Sequence, residues 1–146
     1  MNYIDELSGV LYKKYSRNYN ALAVFEKLRE DLKEFNEQFE LHFKATNNKS
    51  SIDFDPEIVK CGDTTVESFD KILVTIDGLE RLIVCEVQTD YPGIYVYDPE
   101  YGRPCLRIKP DSADSVTVME FREDKIKAED LLDFIIGRVF LIPNHY

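Results

Sequence analysis

Between residues 69 and 121 the chain alternates β-branched runs with turn residues. Lys71-Ile72-Leu73-Val74-Thr75-Ile76 is followed by Asp77-Gly78 and then by Leu82-Ile83-Val84-Cys85-Glu86-Val87-Gln88. Two such runs around an Asp-Gly pair predict a hairpin. Its parity groups Ile72, Val74 and Ile76 with Ile83, Cys85 and Val87 on one face. The other face, with Leu73, Thr75, Leu82, Val84, Glu86 and Gln88, is mixed and is expected to be partly covered. Residues 94–97 and 104–109 predict a second hairpin around Asp98-Pro99-Glu100-Tyr101-Gly102-Arg103. Residues 116–121 predict a last strand, so the sheet is expected to be an antiparallel meander of about five strands.

The flanking segments carry helical spacing. Ile4, Leu7, Leu11 and Tyr15 predict a short amphipathic helix over residues 3–15, with a polar turn over 16–20. Phe25, Leu28, Leu32, Phe35 and Phe39 then alternate spacings of three and four, and Phe43 extends the stripe. Phenylalanine is bulky for the holes of a two-stranded coiled coil. The stripe is therefore expected to lie on a sheet or on a second copy of itself. Its opposite side, with Glu26, Lys27, Glu30, Asp31, Lys33, Glu34 and Glu37, is an ordinary solvated face. Residues 52–68 read as irregular and acidic, with Phe54 and Ile58-Val59 as anchors of a short strand. Residues 124–136 predict a C-terminal helix whose buried side is Ile126, Leu131, Leu132, Ile135 and Ile136. The run Val139 to Ile142 suits either a strand or a continued helix, and Pro143 stops it.

Composition narrows the function classes. The chain has 146 residues, enough for one domain with a core of its own, and 44% of them are hydrophobic. Residues 1–146 are read as a single α+β domain: two N-terminal helices, the strand meander and a C-terminal helix. Lys and Arg number 18 against 28 Asp and Glu, a net charge of −10. Nucleic-acid affinity comes largely from Lys and Arg displacing counterions, so no nucleic acid is expected as a partner. Anionic membrane surfaces are disfavoured for the same reason. The charge suits a basic protein partner instead.

The three cysteines, Cys61, Cys85 and Cys105, form neither a disulfide framework nor a zinc spacing. The first residues carry Asp5 and Glu6 where a signal peptide needs bases, and the apolar stretch 131–142 is broken by Asp133 and Arg138. A cytoplasmic location is the resulting expectation.

Asp70 or Asp77, followed by Glu86-x-Gln88, loosely resembles the metal-binding pattern of PD-(D/E)xK nucleases. There an Asp and a Glu on adjacent strands hold Mg²⁺ and a Lys two residues on positions water. Gln88 stands where that pattern has Lys, so the resemblance implies a metal-dependent phosphodiesterase only as an alternative. Asp53-x-Asp55-x-Glu57 opens like a calcium loop, but Ile58 and Thr64 stand where Gly and Glu are required. His42 and His145 have no second ligand at metal spacing. No metal site, no cofactor and no catalytic residue is assigned. Tyrosine clusters more informatively: Tyr91, Tyr95, Tyr97 and Tyr101 crowd one hairpin, with Tyr95 and Tyr97 on one strand face. Tyrosine brings large contact area at low entropy cost, which makes Tyr95, Tyr97 and Tyr101 the candidate partner-binding residues. Arg103, Arg107 and Lys109 are the basic cluster beside them.

These features add up to an acidic, non-catalytic protein-binding module: an adaptor, an inhibitor, an immunity-type protein or a chaperone. A homodimer is expected, because the second sheet face and the tyrosine hairpin need cover. A small-molecule carrier, with the sheet curved round a cavity, is the remaining alternative.

Overall fold

A computed structural model describes residues 2–47, 49–57, 59–66, 68, 70–120 and 122–141. Seven antiparallel strands form the main sheet, in the order β1 (Ser51–Asp53), β4 (Lys71–Ile76), β5 (Leu79–Glu86), β6 (Gly93–Tyr97), β7 (Pro104–Pro110), β8 (Ser115–Met119) and β9 (Glu123–Lys127). The order follows the sequence, except that a small hairpin of β2 (Val59–Cys61) and β3 (Thr64–Val66) is inserted between β1 and β4. The first hairpin pairs Ile72 with Ile83 and Val74 with Arg81, the parity read from the sequence. At its tip Asp77 (φ 49°) and Gly78 (φ 82°) both occupy the left-handed region that a tight two-residue hairpin turn requires.

Two strands more than expected extend the meander, and both are edges. β1 pairs with β4 through three residues, and its brevity limits what an edge can recruit. β9 corrects the predicted start of the C-terminal helix at residue 124. Ile126 sits opposite Val116, and Glu123, Lys125 and Lys127 alternate outward. Helical spacing of Ile126 with Leu131 is imperfect, and the free edge of β8 offers five backbone partners that a helix would forgo. Charge along β9 then blunts the edge against further pairing. The helix proper, α4 (Leu131–Ile135), continues as a wider π turn over Ile136–Leu141. The run beyond Gly137 is thus helical as far as Leu141, while Ile142, Pro143 and His145 lie outside the described residues.

The N-terminal helices are α1 (Tyr3–Lys14) and α2 (Ser16–Gln38), followed by a short α3 (Glu40–Ala45). The polar turn expected over 16–20 is not formed: one residue, Tyr15, interrupts the helix. Asn18, within that segment, donates its side-chain amide to the carbonyl of Val87 at 3.2 Å. That bond ties the start of α2 to the end of β5, so tertiary contact overrides a local turn preference.

α2 crosses β5, β6 and β7. Ala21, Val24, Phe25, Leu28 and Leu32 are buried against Ile72, Val74, Ile83, Cys85, Ile94 and Val96. Leu131, Ile135, Val139 and Phe140 close the same core from the C-terminal side. The phenylalanine stripe leaves the sheet after Leu32. Phe35 and Phe43 are half-buried, Phe39 is 38% exposed, and Phe35 stacks on Phe39 with ring centroids 4.3 Å apart. The opposite sheet face has a smaller cluster, where Cys61 and Val66 of the small hairpin cover Leu82 and Val84. β5 is therefore buried on both faces, which is why its sequence runs apolar without alternation.

Candidate functional site

The small hairpin covers only half of the second sheet face. The uncovered half is read off the register. One row across the strands runs Val84, Tyr95, Arg107, Met119 and Glu123, each opposite the next. A second row runs Lys109, Thr117 and Lys125, and a third pairs Ser115 with Lys127. Arg107, Lys109, Lys125 and Lys127 are all exposed and share this face. Thus four cations of an acidic chain are gathered on one surface, with Glu86 at its β5 border, Glu123 at its β9 border, and Asp111 accepting from the Thr117 hydroxyl at 2.6 Å.

Tyr95, Tyr97, Arg107, Lys109 and Met119 line a groove of about 710 Å³, rimmed by Tyr91-Pro92-Gly93 and by Arg17 of α2. Gly93 permits the close approach of β6 to β7 there, since a Cβ would stand 2.8 Å from the carbonyl oxygen of Ile108. The hydroxyl of Tyr95 donates to the carbonyl of Tyr91 at 2.6 Å and so fixes the rim to the floor. Burial raises the Tyr95 and Tyr97 hydroxyls above the usual phenol range, and the carboxylate of Glu86 pushes them the same way, against the opposing pull of Arg107. Both remain protonated; Tyr95, whose proton is held by Tyr91, can accept from a ligand, and Tyr97 can donate to one.

Tyr101, the third tyrosine singled out from the sequence, does not join them. It is 63% exposed in the β6–β7 loop and lines a different depression of about 800 Å³, with Arg81, Asp98, Arg103, Cys105 and Glu120. A register shift between Val96 and Tyr97 turns the loop away. Arg81 is buried there with Asp98 at 3.5 Å, and Glu120 is held by Arg138 at 3.6 Å. The sequence signal missed Arg17 and Met119: one comes from a helix 74 positions before Tyr91 and the other from a strand beyond the next turn.

A third depression, of about 550 Å³, lies between the end of α2 and α4. Its floor is Phe35, Phe39, Leu132 and Ile136, and its rim is acidic, with Asp31, Glu34, Glu129 and Asp133. The only cation lining it, Lys27, is 3.7 Å from Asp31.

The acids that resemble the nuclease pattern are not all brought together. Asp77 is at the hairpin tip and Glu86 at the far end of β5, roughly 23 Å of extended strand away. Asp70 is at the Glu86 end, where both carboxylates contribute to raising Cys85, yet Asp70 faces Arg29 at 3.9 Å. Among the described residues no three His, Cys, Asp or Glu side chains are placed to share a metal ion. Cys85 itself is pushed up to about 12, first by burial and then by Asp70 and Glu86, so its thiol is a packing group at neutral pH. No helix among the described residues is long and apolar enough to cross a membrane. No protein-family model, no curated protein and no solved structure matches this chain.

Proposed function

We propose that the chain is a non-catalytic protein-binding module whose site is the uncovered half of the sheet, taking an extended, acidic segment of a partner protein. The observation that carries this reading is the Tyr95–Tyr97 groove with Arg17, Arg107 and Lys109 in its lining, and with Lys125 and Lys127 farther across the same sheet face. Tyrosines and Met119 offer apolar anchorage, and the cations fix the sign of what surrounds the anchors. Anchoring of this kind rests on contact area and charge, which the tyrosines, Met119 and the cations of the lining offer.

The expectation of a basic partner follows from the charge of the whole molecule. What supports it is the acidic rim of the depression between α2 and α4, where four aliphatic and aromatic side chains would receive the apolar side of a basic helix. This is the second reading.

One experiment separates them. Tagged protein is incubated with extract of the native cell and the captured proteins are identified by mass spectrometry, for the wild type, for Arg107→Glu/Lys109→Glu and for Glu34→Lys/Asp133→Lys. All four residues are on the surface, so the fold should survive each change. Loss of a specific partner with an acidic segment in the first variant alone supports the sheet-face site. Loss confined to the second variant moves function to the α2–α4 depression. Capture of nucleic acid that the first variant abolishes would defeat the protein-binding reading, because tyrosines beside cations can stack bases.

A further inference from the structure

α1 buries none of its residues. Tyr3 is 77% exposed, Ile4 79%, Leu7 59% and Val10 57%. At 3.6 residues per turn, these four and Leu11 fall within an arc of about 120°. An apolar arc of that width normally marks the side of a helix that faces a core. Here, among the described residues, only Leu11 at its edge is partly covered. Intrachain support is slight: Asn2 caps the helix through Ile4 N at 2.9 Å, and Tyr12 meets Tyr19 with centroids 5.2 Å apart. A helix of twelve residues with Gly9 at its middle is marginal without tertiary packing.

We infer that α1 is a dimerisation helix, which pairs antiparallel with α1 of a second copy of this chain across its Tyr3, Ile4, Leu7, Val10 and Leu11 arc. Charge selects this occupant. Asp5 and Glu6 occupy the first turn of α1 and Lys13 and Lys14 the last. Antiparallel pairing sets Glu6, which borders the arc, against the basic end of the other copy, with Arg17 just beyond it, and opposes the two helix dipoles favourably; Asp5, on the far side of the helix, adds only to the charge of its end. The surface is thus self-complementary under a two-fold axis, as an isologous contact must be. Through residue 24 the chain has two acids and three bases, so the net charge of −10 resides elsewhere. A second acidic copy therefore approaches this part of the molecule without repulsion.

The area is sufficient. The exposed aliphatic and tyrosine side chains of α1 offer on the order of 600 Å² per helix. With the matching surface of the partner, including Tyr15, Tyr19 and Leu22 (37–44% exposed alongside Leu11), the contact reaches the roughly 1,200 Å² at which specific interfaces begin. The pairing also sets Glu6 of the second copy beside Arg17, the residue of this segment that lines the sheet-face groove.

Sedimentation equilibrium at tens of micromolar tests the inference. Wild type is expected at twice the 17.1 kDa chain mass. Leu7→Glu should weaken association about tenfold or more, with near-ultraviolet circular dichroism unchanged, since α1 adds nothing to the core. Asp5→Lys/Glu6→Lys should also weaken it, and adding Lys13→Glu/Lys14→Glu to that variant should restore it. Parallel helices would show no such rescue. A wild type that remains monomeric, or a dimer indifferent to Leu7→Glu, overturns the inference. A monomer that instead cosediments with phosphatidylcholine–phosphatidylserine vesicles assigns the arc to lipid and overturns it equally.

Discussion

Gly62 shows how one residue fixes the second face of the sheet. Its φ of +60° suits glycine, and a Cβ there would stand 2.8 Å from the backbone nitrogen of Gly102. Its own N–H donates to the carbonyl of Pro99 at 3.0 Å. The small β2–β3 hairpin is thereby latched to the β6–β7 loop, and Cys61 and Val66 are held over Leu82 and Val84. Gly62→Ala meets both a left-handed backbone and a backbone clash, so it should cost about 1–3 kcal/mol. Urea denaturation measures this, and an unchanged midpoint would show that the latch does not hold the hairpin. The same residue scale explains the tyrosines. Tyr95 and Tyr97 were legible as neighbours because a strand places alternate residues on one face. Tyr101 was not separable from them, because a register shift leaves no mark in composition.

At the scale of elements, α2 is where the spacing of apolar residues and the packing part company. The 3–4 alternation continues from Phe25 to Phe39, and Phe43 extends the stripe, but the sheet beneath it ends. Leu32 is wholly buried, while Phe35 is only half-buried. Leu32→Ala should therefore cost about 2–5 kcal/mol. Phe35→Ala should cost less than the ~3 kcal/mol at which fully buried phenylalanines begin. Thermal or denaturant unfolding of the two variants ranks them, and a greater loss at Phe35 would place the core further along α2 than it lies. The C-terminal element carries the same lesson from the other side. Leu131, Leu132, Ile135 and Ile136 supply the helical face that their spacing predicts, yet Ile126 belongs to a strand, since only the fold reveals the open edge of β8.

For the whole molecule, the shifts in acid strength share one sign. Cys61, Cys85, Cys105, Tyr95 and Tyr97 are all raised, in each case first by burial. Each is neutral when protonated, so the folded state holds its proton longer than the unfolded chain does. Stability is then complete below the unfolded thiol range, near pH 9, and falls as pH rises from there towards about 12, where Cys85 ionises in the fold. Cys85→Ala should lower stability at pH 7 through the lost packing but show a shallower alkaline decline. A decline of equal slope in both proteins, followed by the unfolding midpoint against pH, would remove Cys85 as its source. Charge is likewise organised at this scale: acids line the depression between α2 and α4, and cations gather on the uncovered strands.

The sequence by itself determined the α+β class, the Asp77-Gly78 hairpin with its register, the two N-terminal helices and the buried stretch from Phe25 to Leu32. Those features rest on local turn chemistry and on the periods of 2 and 3.6, which every chain displays in one dimension. Tertiary structure alone decided which apolar faces are covered. It added two edge strands, laid the small hairpin over half of the second sheet face and left no residue of α1 buried. It also decided that Arg17, Tyr95, Arg107 and Met119 share a groove while Tyr101 does not. The physical reason is that burial and proximity arise between segments distant in the chain, and no short-range pattern records which free edge or face another segment will reach.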